Sequence, residues 1–88
     1  MAKVTITPTA AAQVANLPYD IQLRIAKVID RLARWPAVSG AKPLRGDLAG
    51  QFRIRTGDYR VQFTASGTGG AAVVVIIKAG HRDGFYDE

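Results

Sequence analysis

Gln51-Phe52-Arg53-Ile54-Arg55-Thr56-Gly57-Asp58-Tyr59-Arg60-Val61-Gln62-Phe63 is the stretch that decides the fold. Apolar and polar residues alternate on both sides of Gly57-Asp58, which reads as two strands joined by a two-residue type II′ turn. With that turn, Thr56 faces Tyr59, Arg55 faces Arg60, Ile54 faces Val61 and Arg53 faces Gln62. Side chains alternate between faces along a strand, so Phe52, Ile54, Val61 and Phe63 form one apolar face. Arg53, Arg55, Arg60 and Gln62 form the other. Like charges directly across an antiparallel pair cost a few tenths to about 1 kcal/mol. Lysine, threonine or mixed-sign pairs would solvate such a face with less repulsion. The arginine guanidinium is a planar fork suited to phosphate oxygens and to stacking on bases. An anion is therefore the expected occupant of this face.

Working outward, Val4 and Ile6 alternate with polar neighbours and suggest a short first strand. Thr7-Pro8 is a helix start, with threonine as N-cap and proline at the first helical position. A short helix follows to Ala15, and Leu17-Pro18 breaks it. In the next helix Ile21, Ile25, Val28, Ile29 and Leu32 recur at helical spacing, with Arg24, Lys27, Arg31 and Arg34 on its other faces. Pro36 is expected to stop this helix just after Trp35. Residues 37–50 read as a loop, because Ser39-Gly40, Lys42-Pro43 and Gly46-Asp47 are turn dipeptides. A last strand is expected over Ala71–Ala79, after the turn Ser66-Gly67-Thr68-Gly69-Gly70. Its run Val73-Val74-Val75-Ile76-Ile77 is apolar at every position, which predicts a central strand covered on both faces. Gly80 ends it and releases a tail containing His81, Arg82 and Tyr86.

The 88 residues 1–88 are expected to form one domain, with 48% hydrophobic residues in keeping with a globular composition. No cysteine and a single histidine leave no thiolate site and no histidine cluster, so no metal or other cofactor is expected. The start Met1-Ala2-Lys3-Val4-Thr5 lacks the apolar core of a signal peptide, and no apolar stretch is long enough to span a bilayer. A cytoplasmic protein without membrane contact is the expectation. The net charge of +5 suits a polyanionic partner.

The order of strand, helical hairpin and three-stranded meander resembles the RelE/ParE toxin superfamily, and its RelE-like branch most. The motifs behind the likeness run from Lys42-Pro43-Leu44-Arg45-Gly46-Asp47-Leu48-Ala49-Gly50 into Gln51-Phe52-Arg53-Ile54-Arg55. Gly57-Asp58-Tyr59-Arg60-Val61 and Gly80-His81-Arg82 with Tyr86 continue them, so the likeness covers essentially the whole chain. It implies a small α+β fold in which a helical hairpin packs on one face of an antiparallel sheet. It also implies the toxin of a type II toxin–antitoxin system, a ribosome-dependent endoribonuclease that cuts translated mRNA without metal. Implied partners are a cognate antitoxin, mRNA and the ribosome, with operator DNA reached only through the antitoxin.

The resemblance carries roles residue by residue. Arg60 and Arg82 would stabilise phosphoryl charge, and Tyr86 or His81 would handle protons. Arg53 and Arg55, with Lys42, Arg45 and Gln62, would hold RNA. Two other functions share the fold: a ParE-like inhibitor of DNA gyrase, and a catalytically silent member that only binds an antitoxin.

Overall fold

A computed structural model describes residues 1–82 of the chain. The central hairpin has the register that its sequence predicts, from Gln51↔Thr64 through Arg55↔Arg60 to Thr56↔Tyr59. Its strands are β3 (Gln51–Thr56) and β4 (Tyr59–Ser66), with Gly57 at φ +62° opening the turn. That positive φ is the glycine requirement of a type II′ turn. Ile54, Val61 and Phe63 are buried on one face, as the alternation requires.

Preceding the hairpin are β1 (Lys3–Ile6), α1 (Pro8–Ala15), α2 (Tyr19–Leu32) and β2 (Lys42–Pro43). Thr7 caps α1: its Oγ1 accepts from the Ala10 N–H at 3.1 Å, and Pro8 follows at the first turn. Helix α2 buries Ile21, Ile25, Val28 and Leu32, with Ile29 at the margin of the core. It ends three residues before the expected Trp35. The N–H groups of Arg34 and Trp35 bond back only three residues, to Arg31 and Leu32, so the last turn tightens ahead of Pro36. That turn swings Trp35 against Phe52 and Phe63, with ring centroids 4.7 Å and 5.4 Å away.

A last strand, β5 (Val73–His81), completes a five-stranded sheet in the order β1-β5-β4-β3-β2. Two strand pairings depart from the sequence-based expectation. Residues 42 and 43, read as loop, pair antiparallel with Arg53 and Phe52, which adds β2 at the sheet edge. Strand β1 runs parallel to β5, from Lys3↔Val73 to Ile6↔Ile76, so the meander gains a strand on its other side as well. The turn into β5 needs glycine at Gly67, where φ is +78° and a Cβ would lie 2.6 Å from the Ala71 carbonyl oxygen.

Both helices lie on one face. Strand β5 is central, but it is not covered on both faces as its apolar run predicts: Val74 and Ile76 are buried under the helices, while Val73 and Val75 are half-buried on the other side. The β4–β5 register contains a bulge, with Phe63 opposite Ile76 but Gln62 opposite Lys78. Ile77 is the extra residue. Beyond it, Gln13 of α1 accepts the Ala79 N–H at 2.9 Å through its Oε1 and ties helix to strand. Gln13→Ala leaves that N–H without its acceptor in a part-buried site. The expected loss is about 1–3 kcal/mol, or about 4–8 °C of melting temperature per kcal/mol in a domain this size. Thermal unfolding followed by circular dichroism checks it, with Gln13→Glu, which keeps the acceptor, melting closer to wild type.

Candidate nucleic-acid interface

The bulge at Ile77 sets the chemistry of the sheet. Unbroken alternation from Val74 and Ile76 would send Lys78 into the core and put Ile77 opposite it. One extra residue reverses the phase, as a bulge must. Ala79 therefore enters the core, while Lys78 and Gly80 come out on the helix-free face. Cations from four strands meet there.

Two rows cross the strands on this face. In the first, Lys42, Arg53, Gln62 and Lys78 are successive partners on β2, β3, β4 and β5. In the second, Arg55, Arg60 and Gly80 are successive partners on β3, β4 and β5. Adjacent strands lie about 4.8 Å apart, and rows two residues apart along a strand lie about 7 Å apart. Gly80 brings no side chain, so Arg60 is flanked there by backbone alone. Arg55 directly opposite Arg60 is the like-charged pair that alternation demanded. No helix among the described residues covers this face.

The residues singled out from sequence fall in different places. Arg53, Arg55, Arg60 and Lys42 share the helix-free face. Arg82 sits beyond the end of β5 at the tip of the central hairpin. Its N–H donates to the Asp58 carbonyl oxygen at 2.8 Å, and its Nη1 lies 4.0 Å from Asp58 Oδ1. Both side chains of that ion pair are more than half exposed, so water screens it and it adds little stability. The backbone bond is what holds Arg82 at the hairpin tip.

Arg45 is exposed in the loop after β2, past the paired positions. Gln62, expected to touch RNA, is instead only 7% exposed, and its Nε2 donates to Gln51 Oε1. That bond ties its amide to the neighbouring strand. His81 pairs with Tyr59 and meets its ring edge-on at 5.2 Å. Tyr59 packs against the core, so register sets His81 on the helix side of the sheet, opposite Arg60. Tyr86 lies outside the described residues.

Lys78 was missed, and the reason is physical. A five-residue apolar run has no period, so nothing in it shows which residue is the extra one. The one available signal was the lysine itself, a charge closing a run that otherwise reads as core. Among the described residues, no three histidine, cysteine or carboxylate side chains lie together as a metal site. No helix there is long and apolar enough to cross a membrane.

The fold recurs in solved structures. The chain is 33% identical to one in the toxin–antitoxin complex RelBE2 from Mycobacterium tuberculosis, over 92% of this chain and 91% of that one, with a TM-score of 0.78. It is 25% identical to the YoeB/ParE toxin from Agrobacterium tumefaciens over 90% of this chain and 97% of that one, at TM-score 0.74. In the archaeal RelE–RelB complex from Pyrococcus horikoshii the match is 26% identical, covers 92% and 94%, and has a TM-score of 0.71. No family model matches the chain, and no curated protein does. With a third of its residues shared over nearly its full length and the same arrangement of helices and sheet, the chain belongs to the RelE/ParE toxin superfamily.

Proposed function

We infer that the chain is the toxin of a toxin–antitoxin pair and an endoribonuclease acting on translated mRNA at the ribosome. One observation carries the reading: Arg53, Arg55, Arg60 and Lys42 converge on a helix-free sheet face, at a cost in cross-strand repulsion that nothing in the core requires. An RNA strand repays that cost, because each phosphate it presents meets a fixed cation.

The reaction follows from those cations. The RNA 2′-hydroxyl attacks the adjacent phosphorus in line. The bond to the 5′-oxygen of the next nucleotide breaks, leaving a 2′,3′-cyclic phosphate and a 5′-oxygen that takes a proton from solvent to become the 5′-hydroxyl. Arg60 and Arg82 stabilise the charge that builds on the phosphoryl oxygens, which fixed donors do best where water is excluded. Arginine keeps its proton at all working pH values, so it cannot be the base. His81 faces the helix side, which leaves Tyr86 of the tail to take the 2′-hydroxyl proton in this reading. A tyrosine of ordinary pKa about 10 needs neighbouring guanidinium groups to serve as a base. A cognate antitoxin would hold the activity in check, and two of the similar structures are complexes of RelE with RelB or of toxin with antitoxin.

The test is translation in a cell-free extract followed by mapping of mRNA ends. Codon-positioned cuts with 5′-hydroxyl ends are expected from the wild-type chain and should disappear with Arg82→Ala. The likeness to a protein described as a YoeB/ParE toxin keeps gyrase as the second target. Intact mRNA together with arrested DNA supercoiling would replace the nuclease reading with that one.

A further inference from the structure

We propose that the basic flank of α2 is a docking surface for the phosphate backbone of double-helical RNA, separate from the sheet face. The inference goes beyond the nuclease reading and shares with it only that RNA is the target. Arg24, Lys27, Arg31 and Arg34 follow one another at three- and four-residue steps, so they fall within one arc of about 80° around the helix. All four are exposed. The core face of α2 is Ile21, Ile25, Val28 and Leu32, and its outward face carries Tyr19, Leu23 and Asp30. The cations stand between the two, with Asp20 of the first turn beside them.

From Arg24 to Arg34 the row is about 15 Å long in steps of about 5 Å, comparable with the spacing of phosphates along a nucleic-acid strand. Arg31 is held in place by the Ser39 carbonyl oxygen, to which its Nη2 donates at 2.8 Å. Its other guanidinium donors remain for a ligand. Arg24 reaches the tip of the central hairpin, where its Nη1 lies 3.0 Å from the point that a Cβ on Gly57 would occupy. Arg82 is bound to Asp58 of the same turn. At the other end of the row, Trp35 packs on Phe52, near the start of β3. The row therefore runs the length of β3 on the helix side and meets the sheet face only at the hairpin tip.

Chemistry selects the occupant. Single-stranded RNA gains most where its unpaired bases stack on aromatic rings. Among the described residues this flank has none, because Tyr19 is on the outward face and Trp35 is turned into the cluster with Phe52 and Phe63. A protein helix would seek apolar surface, which lies on the outward face instead. In a duplex the bases are already paired and stacked, and shape and phosphates are what it presents. Three of the four cations are arginines, whose planar fork grips two phosphate oxygens at once.

The test measures binding of a 2′-O-methyl RNA duplex of about 16 base pairs, which cannot be cut, to the full chain. Fluorescence anisotropy is followed between about 50 and 200 mM salt, with a single-stranded 2′-O-methyl oligonucleotide alongside. Each phosphate contact on a duplex contributes about 0.9 to the fall of log K with log salt. Lys27→Gln and Arg34→Gln are each expected to weaken duplex binding several-fold at the lower salt and to reduce its slope by about 0.9. Single-strand binding should not change. Lys27→Arg should keep the wild-type slope, and Lys3→Gln, on β1, should leave duplex binding intact. Circular dichroism melts of each variant exclude loss of fold as the cause.

A wild-type slope in both α2 variants overturns the proposal, as does a wild-type chain that binds no duplex. An equal loss in Lys3→Gln overturns it too, since diffuse charge would then explain the binding. A polyglutamate peptide that displaces the duplex at equal charge would assign the flank to acidic protein segments instead. Intact mRNA in the translating extract, with duplex binding as expected, would remove the nuclease reading and keep the docking surface.

Discussion

Phe63→Ala is expected to lower the melting temperature by at least about 12 °C and to leave much of the chain unfolded at 37 °C. Phe63 is fully buried at the junction of the hairpin and the helix hairpin. It stacks on Phe52 at 5.7 Å and receives the edge of Trp35 at 5.4 Å. Truncating a buried phenylalanine costs about 3–5 kcal/mol through lost transfer energy and the cavity left behind. Native domains hold only about 0.05–0.15 kcal/mol per residue in reserve, so this one loss can consume most of it. Each kcal/mol moves the melting temperature by about 4–8 °C at this size. Phe63→Leu, which refills most of the volume, should recover more than half of the loss. A Phe63→Ala protein melting within a few degrees of wild type would mean that the three-ring cluster does not anchor the fold.

The same residues show how far the sequence could be read. The hairpin register was legible because Gly57-Asp58 fixes the turn and every flanking residue then has a face consistent with its polarity. The cap Thr7-Pro8 and the stripe on α2 were legible for the same reason: local chemistry and period agree there. Three features were not. Lys42-Pro43 forms a strand only because Arg53 and Phe52 present a free edge, and a proline in a turn-like segment gives no hint of it. The parallel pairing of β1 with β5 joins residues at opposite ends of the chain, so no local signal specifies it. The bulge at Ile77 is invisible inside an apolar run, yet it decides which of Lys78, Gly80 and His81 share a face with the arginines. The site was therefore legible where it sits on the hairpin and obscured where it depends on β5.

Arg60→Ala separates function from fold more sharply than any other change on this face. Arg60 lies directly across from Arg55 and beside Gly80, in the row nearest to Arg82. Removing one preorganised charge-stabilising group from a reacting centre typically costs about 10²–10³ in turnover. The rate at which 5′-hydroxyl mRNA ends appear in a translating extract is expected to fall by that factor. Stability should change little, because relief of the repulsion with Arg55 offsets the loss of the side chain's own contact. The melting temperature is then expected to stay within a few degrees of wild type. Arg60→Lys tests the nature of the contact: it keeps the charge but loses the planar fork, so bidentate grip on the phosphoryl oxygens goes while long-range attraction remains. Its activity should fall between wild type and Arg60→Ala, with oligonucleotide binding near the wild-type level. Unchanged cutting by Arg60→Ala would remove Arg60 from the reacting centre. Lost cutting with a collapsed melting curve would assign it to the fold. Only lost cutting with an intact fold makes the repelling arginine pair a cost carried for catalysis.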